Sequence, residues 1–247
     1  MISPTPRDHE DSALLAGEAG RLLVGIRTRI GEKPAEDVKN EGDRESHELL
    51  MARLGALHPE DAVLSEEGKD DARRLDAERV WIIDPLDCTR EFGEPPRTDW
   101  AVHVALVISG DAVAGAVALP ARGLVLSTAA PPSLAGPGDA VRLAVSRTRP
   151  PAAAEQLADA LGAVLVPMGS AGAKAMAVVL GEADVYAHSG GQYEWDSAAP
   201  VAVARSAGLH CSRLDGTPLV YNRPDSWLPD LLICRPELAQ RVIAALR

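Results

Sequence analysis

A chain of 247 residues with 46% hydrophobic and 25% charged residues is long enough for one large core or two packed lobes, and no run of about 18 apolar residues offers a membrane span. Its formal net charge of -11 disfavours nonspecific binding to nucleic-acid polymers, and an anionic small molecule would need metal ions or a local Lys/Arg cluster to invert the sign. Three cysteines, Cys88, Cys211 and Cys234, lie far apart without zinc-like spacing, and the acidic, proline-broken start lacks a secretory pattern, so a cytoplasmic protein without disulfides or structural zinc is expected.

Residues 11–30 place Leu15, Ala19, Leu22, Leu23, Ile26 and Ile30 at three- and four-residue spacing, which predicts an amphipathic helix. A second helix is predicted over 44–57, with Leu50, Leu54 and Leu57 on one face and Pro59 ending it. RVWIID (79–84) reads as a strand closed by Pro85. WAVHVALVIS (100–109), Gly110-Asp111 and AVAGAVALP (112–120) read as a hairpin, which RGLVLSTA (122–129) extends into an antiparallel meander. The Pro/Gly-rich segment 130–140 marks a boundary between an N-terminal lobe, 1–135, and a C-terminal lobe, 136–247. Beyond it, predicted strands at 141–146, 163–167, 183–188 and 231–235 alternate with predicted helices at 151–161, 170–181, 196–207 and 236–246.

The chemistry is concentrated where apolar runs end in acids. Asp84 and Asp87 follow the strand RVWIID, and Pro85 biases Asp84 towards an extended backbone, so a sharp turn can aim both carboxylates at one point. Glu66-Glu67 follow Val63-Leu64, and Asp196 opens an Ala-rich helix. Taken singly, each acid reads equally well as a turn residue, a helix cap or a solvated charge. Together, Glu66, Asp84, Asp87 and Asp196 with the Leu86 carbonyl make an oxygen donor set suited to hard divalent cations such as Mg2+. No set of histidines has metal-ligand spacing, and His103, in the middle of a strand, reads as packed or at an interface rather than catalytic.

DPLDCTREF resembles the DP(I/L)DGT motif of the Mg2+-dependent, lithium-sensitive phosphatases of the inositol monophosphatase superfamily. SEE resembles their upstream metal-binding glutamates and WDSAAP their downstream WD(x)AA motif, in the same order from Glu66 to Pro200. The resemblance spans roughly residues 40 to 240 and implies an α/β (α+β) fold, a layered αβαβα sandwich. It implies two or three Mg2+ ions held by Glu66, Asp84, Leu86, Asp87 and Asp196. Asp43, placed at the start of the second helix, would help hold the weakest ion; a helix N-cap is its alternative reading. Thr89 would orient the attacking water, and Glu66 or Glu67 would accept its proton.

MGSAGAK (168–174) is similar to the family's GSxA loop, putting Gly169 and Ser170 against substrate, with Lys174 in reach of a phosphate. SEE, TREF and the SRT of LAVSRT are closer to the CysQ-type 3'(2'),5'-bisphosphate nucleotidases than to inositol-specific members, whose sugar-binding Glu before WD has no obvious counterpart, Glu194 being too near Asp196. The resemblance thus implies removal of the 3'-phosphate of adenosine 3',5'-bisphosphate, a by-product of sulfate assimilation, with the 3'-phosphorylated adenylyl sulfate as a second substrate. Arg147 and Lys174 would meet the other phosphate, and Gln192 and Tyr193 the nucleoside. Alternatives are inositol-1-phosphate or another small sugar phosphate, or a metal- or nucleotide-binding regulator without catalysis. The partner is a small phosphorylated molecule, and relatives occur as monomers and homodimers.

Cys88 replaces the family's glycine. A positive φ there would make Cys cost about 1 kcal/mol or more; a helix start with negative φ is the expected case, leaving the Cys88 and Thr89 N–H groups to bind phosphate and the thiol sensitised to oxidation by the helix terminus, against the opposing charge of Asp87.

Overall fold

The computed structural model describes residues 2–134, 136, 138–148 and 152–246. Ala135, at the expected lobe boundary, and Pro151, the first residue of a predicted helix, lie outside the described residues.

Helix α1 (Pro6–Arg27) begins ahead of the predicted start because Thr5 and Asp8 form a reciprocal capping box: the Thr5 hydroxyl accepts from Asp8 N, and the Asp8 carboxylate accepts from Thr5 N. Helix α2 (Ala35–Leu57) also begins well before the predicted position 44. Its buried stripe runs Val38, Gly42, Ser46, Leu50, Leu54, and the glycine and serine in that stripe carry no apolar signal. Gly42 is needed there, because a Cβ would lie 3.1–3.2 Å from Phe92, Leu23 and Leu86.

Five strands, β1 (Ala62–Ser65), β2 (Arg79–Asp87), β3 (Ala101–Ile108), β4 (Asp111–Leu119) and β5 (Leu124–Ser127), form one sheet in chain order. β1 runs parallel to β2, β2 pairs antiparallel with β3, and β3 to β5 are the predicted antiparallel meander. β3 reads as a continuous apolar run because both of its faces are covered. Val102, Val104, Leu106 and Ile108 join the core beneath α1 and α2, while Ala101, Ala105 and Val107 face a second core. A short helix, α3 (Thr89–Phe92), follows β2.

The second sheet contains β6 (Arg142–Ser146), β7 (Val164–Met168), β8 (Val185–Tyr193), β9 (His210–Ser212) and β10 (Trp227–Cys234) in the order β7-β6-β8-β10-β9. It is mixed: β6 pairs in parallel with β7 and β8, and β10 pairs antiparallel with β8 and β9. β9, of three residues, is too short to leave a period-2 signal. Helices α4 (Ala152–Leu161), α5 (Ala171–Val179), α6 (Glu194–Ser206) and α7 (Ala239–Ala245) alternate with these strands.

The layers run α1/α2, first sheet, α5/α6, second sheet, α4/α7, which is the expected αβαβα order. The middle helices bury apolar side chains against both sheets, and the end of β2 meets the starts of α5 and α6 inside that layer.

Candidate active site

Val80 and Ile82 point from β2 into the middle layer, and the strand's period of two sends Asp84 the same way. Asp87, three residues on, would face away in a regular strand. The β2–β3 register is interrupted between Asp84 and Asp87, and this irregularity turns the second carboxylate back to the first. Ser46 Oγ donates to the Pro85 carbonyl at 2.7 Å and Leu86 N to Asp84 Oδ1 at 3.1 Å, fixing the turn. Asp196 enters from the first turn of α6, where its Oδ2 accepts from Tyr193 N at 2.6 Å. One carboxylate oxygen from each of Asp84, Asp87 and Asp196 lies within 4.8 Å of the others.

Glu66 completes the group. β1 lies parallel to β2 with Ser65 opposite Ile83, so the next residue comes beside Asp84, with which it shares a hydrogen bond. Glu66 is exposed over the residue as a whole, yet desolvation of its carboxyl and the charge of Asp196 push it up to about 7. Burial and the charges of Glu66, Asp87 and Asp196 also raise Asp84 well above the ordinary carboxylate range, and burial with Asp87 raises Asp196 to about 6. Carboxylates crowded so closely that they hold protons near neutrality are the donor set of a hard cation, and the site fits one.

Asp87 behaves differently. Burial pushes it up, but the His103 ring, the Ser170 hydroxyl at 2.5 Å and Gly172 N at 2.7 Å more than offset this and hold it at about 2. Ser170 and the GSAGAK loop therefore meet the DPLDCT turn directly, as a contact to a carboxylate.

Asp43 lies inside α2, so the expected position at a helix start, with its N-cap alternative, is corrected: the helix begins at Ala35. Its Oδ1 accepts from Thr89 Oγ1 at 3.2 Å, and burial together with the charge of Glu67 raises it to about 6. Glu67 itself is exposed.

Cys88 requires a larger correction. Its φ of 74° and ψ of 62° are left-handed, so the expected negative φ is not adopted and a thiol side chain occupies a conformation that favours glycine. The expected sensitisation also fails: burial, the charge of Asp87 and a hydrogen bond with Glu91 push the thiol far up. Burial raises Cys211 and Cys234 to about 12 as well. We therefore expect native protein at pH 7.5 to react only slowly with Ellman's reagent and to release all three thiols on unfolding in guanidinium. Rapid stoichiometric labelling of Cys88 in the native state would contradict this environment.

The remaining expected residues divide into two groups. Lys174 is buried, donates to the Gly169 carbonyl at 2.6 Å and lies over the Tyr186 ring at 5.3 Å; burial lowers its pKa, and the charges of Asp87 and Asp196 oppose that without offsetting it. Arg147 is committed to carboxylates, 2.7 Å from Glu91 and 3.1 Å from Glu94. Gly169 is packed on Glu91 so tightly that a Cβ would lie 2.4 Å from Glu91 Cδ, and its N–H donates to Asp99 at 2.7 Å. Gln192 is buried, while Tyr193 is exposed and stacks on Trp195 at 4.7 Å between ring centroids. Glu194 turns away from the cluster, accepting from Asn222 N and Arg223 N at 2.7 and 2.9 Å.

Sequence reasoning missed Glu91 and Asp99, which brace the GSAGAK loop, and read His103 as packed or at an interface rather than as part of the site. Glu91 stands in the quoted TREF segment, yet one acid on a short helix looks solvated. Only the fold shows that it is buried against Arg147.

Fold and site together define a layered α+β protein built round a carboxylate cluster that can hold a metal ion. The chain belongs to the inositol monophosphatase family, whose sequence profile matches residues 11–247. Over 265 aligned positions, covering 100% of this chain and 98% of the relative, it is 49% identical to a Mycobacterium tuberculosis protein named 3'-phosphoadenosine 5'-phosphate phosphatase. It is 29% identical over 233 positions, 87% of this chain and 94% of the relative, to the Escherichia coli 3'(2'),5'-bisphosphate nucleotidase CysQ. Among solved structures, CysQ from Bacteroides thetaiotaomicron superposes with a TM-score of 0.77 at 26% identity, over 93% of this chain and 97% of that one.

Proposed function

We propose that this protein hydrolyses the 3'-phosphate of adenosine 3',5'-bisphosphate to give AMP and phosphate, using two or three Mg2+ ions. The observation that carries this reading is the end-to-end 49% identity to a relative named for that activity, in a chain that gathers Asp84, Asp87 and Asp196 into one cluster.

Glu66, Asp84, Asp87, Asp196 and the Leu86 carbonyl would hold the cations, with Asp43 at the outermost. Bound there, divalent cations supply neutralisation of the phosphoryl charge, activation of water and stabilisation of the leaving alkoxide. Thr89, held by Asp43, would orient the attacking water, and Glu66 or Glu67 would accept its proton. The backbone of Cys88 and Thr89 faces the reacting phosphate. Lys174 supports the GSAGAK loop beside it through the Gly169 carbonyl. Arg147 serves the second phosphate only by exchanging its carboxylate partners for it, and Gln192 lines the nucleoside side.

The aromatic surface next to Asp196 favours a nucleoside over a polyol. Tyr193 and Trp227 are exposed cross-strand neighbours, and Tyr193 stacks on Trp195 at 11° between ring planes, leaving a flat face for a base. Three free thiols suit a cytoplasmic location. No described helix is long and apolar enough to cross a membrane. We assign an N-terminal lobe, 1–135, to the DPLDCT turn and Glu66, and a C-terminal lobe, 136–247, to the GSAGAK loop and WDSAAP.

Turnover of adenosine 3',5'-bisphosphate and of inositol-1-phosphate in Mg2+ should differ by an order of magnitude or more in kcat/KM, about the discrimination that unpaired polar groups impose on a wrong ligand. A preference for the inositol ester would remove the nucleotide assignment and leave the phosphatase chemistry intact.

A further inference from the structure

His103 is the one polar side chain pointing from β3 into the middle layer, and it is completely buried. A buried imidazole without partners is costly, so its contacts identify its role. The β2–β3 register sets it opposite Asp84. Nδ1 lies 2.9 Å from the carbonyl of Trp195, the residue before Asp196, and 3.9 Å from Asp84 Oδ2. Nε2 lies 3.2 Å from Asp87 Oδ2, an ion-pair contact that lacks the alignment of a regular hydrogen bond. The same oxygen receives Ser170 Oγ and Gly172 N, whereas Oδ1 has only the long 3.4 Å contact from Ala171 N. Space for the ring is provided by Gly172, where a Cβ would lie 2.1 Å from His103 Nε2.

We propose that His103 is a positioning residue of the metal centre: it fixes Asp87 by its Oδ2, leaving Oδ1 to face a cation, and ties that carboxylate through the Trp195 carbonyl to the start of α6. Ligands carried by two separate elements, β2 and α6, are thereby held in register by a third, β3. This rests on the metal-binding reading given above and goes beyond it, since His103 touches neither substrate nor cation. A carboxylate free to rotate would have to be ordered each time a cation binds, and groups that orient metal ligands commonly contribute much of the affinity.

The test measures Mn2+ binding to substrate-free protein, by electron paramagnetic resonance of free Mn2+ and by calorimetry. His103→Leu, which keeps the bulk and loses both polar contacts, and His103→Asn, which reaches the Trp195 carbonyl but not Asp87, should each weaken Mn2+ binding roughly ten- to hundredfold. His103→Gln, whose amide can reach Asp87, should recover affinity to within about threefold of the parent. His58, half-buried beside Asp11 at 3.1 Å and away from the cluster, provides the structural control: His58→Leu should lower the melting temperature and leave Mn2+ binding intact. Mn2+ affinity of His103→Asn within about twofold of the parent overturns the proposal, as does equal weakening in His58→Leu. The Asn variant decides the matter if the Leu variant does not fold. A parent protein that binds no Mn2+ defeats the metal reading itself, and the proposal with it; loss of activity towards the nucleotide alone touches neither.

Discussion

Asp84→Asn is expected to reduce phosphate release from adenosine 3',5'-bisphosphate by about a hundredfold or more, while the metal-free protein melts at the same temperature or higher. The two effects have one cause. Asp84 is almost completely buried against Glu66, Asp87 and Asp196, and it is held well above the ordinary carboxylate range by burial and by those three charges. Without a cation the crowded carboxylates take up protons, so an uncharged amide of nearly the same shape costs the fold little or nothing. With a cation, the same substitution removes a ligand that no neighbouring side chain can replace. A phosphate-release assay and a thermal melt in EDTA separate the two effects. Retention of more than about a tenth of the parent activity would show that Asp84 is not a necessary ligand, since even groups behind the ligands commonly contribute that much.

The second large effect is on stability against pH in the absence of metal. Glu66 at about 7, with Asp196 and Asp43 at about 6, lie above the values of about 4 that these groups take in an unfolded chain. Between these limits the native state holds protons that the unfolded state has released, so stability falls as pH rises from about 4 to about 7. Asp87, and Asp8 where Arg79 more than offsets burial, work the other way: both are held at about 2, and their contribution is present above about 4 and lost as pH falls towards 2. Metal-free protein should therefore melt highest near pH 4 to 5 and progressively lower towards pH 8. Cations compete with the cluster's protons, so the rise in melting temperature on adding Mg2+ should be larger at pH 8 than at pH 5. A metal-free melting temperature that climbs from pH 5 to 8, or a Mg2+ increment independent of pH, would exclude the protonated cluster.

Much of the site was visible in the linear chain because its residues lie beside strong local signals. Pro85 follows Asp84 where the pairing of β2 with β3 is interrupted, an Ala-rich helix follows Asp196, and SEE follows the apolar pair Val63-Leu64, so each acid stands near the end or start of a regular element. Those signals are short-range, and short-range patterns survive in a sequence. Asp43 falls inside the helix for the same reason: the stripe that carries α2 back to Ala35 passes through Gly42 and Ser46, which look polar or neutral in isolation, although Phe92, Leu23 and Leu86 press against Gly42 and Ser46 donates to the Pro85 carbonyl. The left-handed backbone at Cys88 is likewise set by the irregular end of β2, which no residue preference of Cys announces.

By itself the sequence determined the alternation of strands and helices, the meander from β3 to β5, the acids at the ends of elements and the family resemblance they carry, because periodicity, turn residues and motif order are properties of neighbouring positions. The tertiary structure decided which carboxylates share one volume, which of them hold protons and which is held charged. It also took His103 out of an apolar run and set it between Asp87 and the Trp195 carbonyl, and bound Arg147 to Glu91. Those outcomes depend on burial and on distances of a few ångströms between residues tens of positions apart, and such distances exist only once the layers have packed.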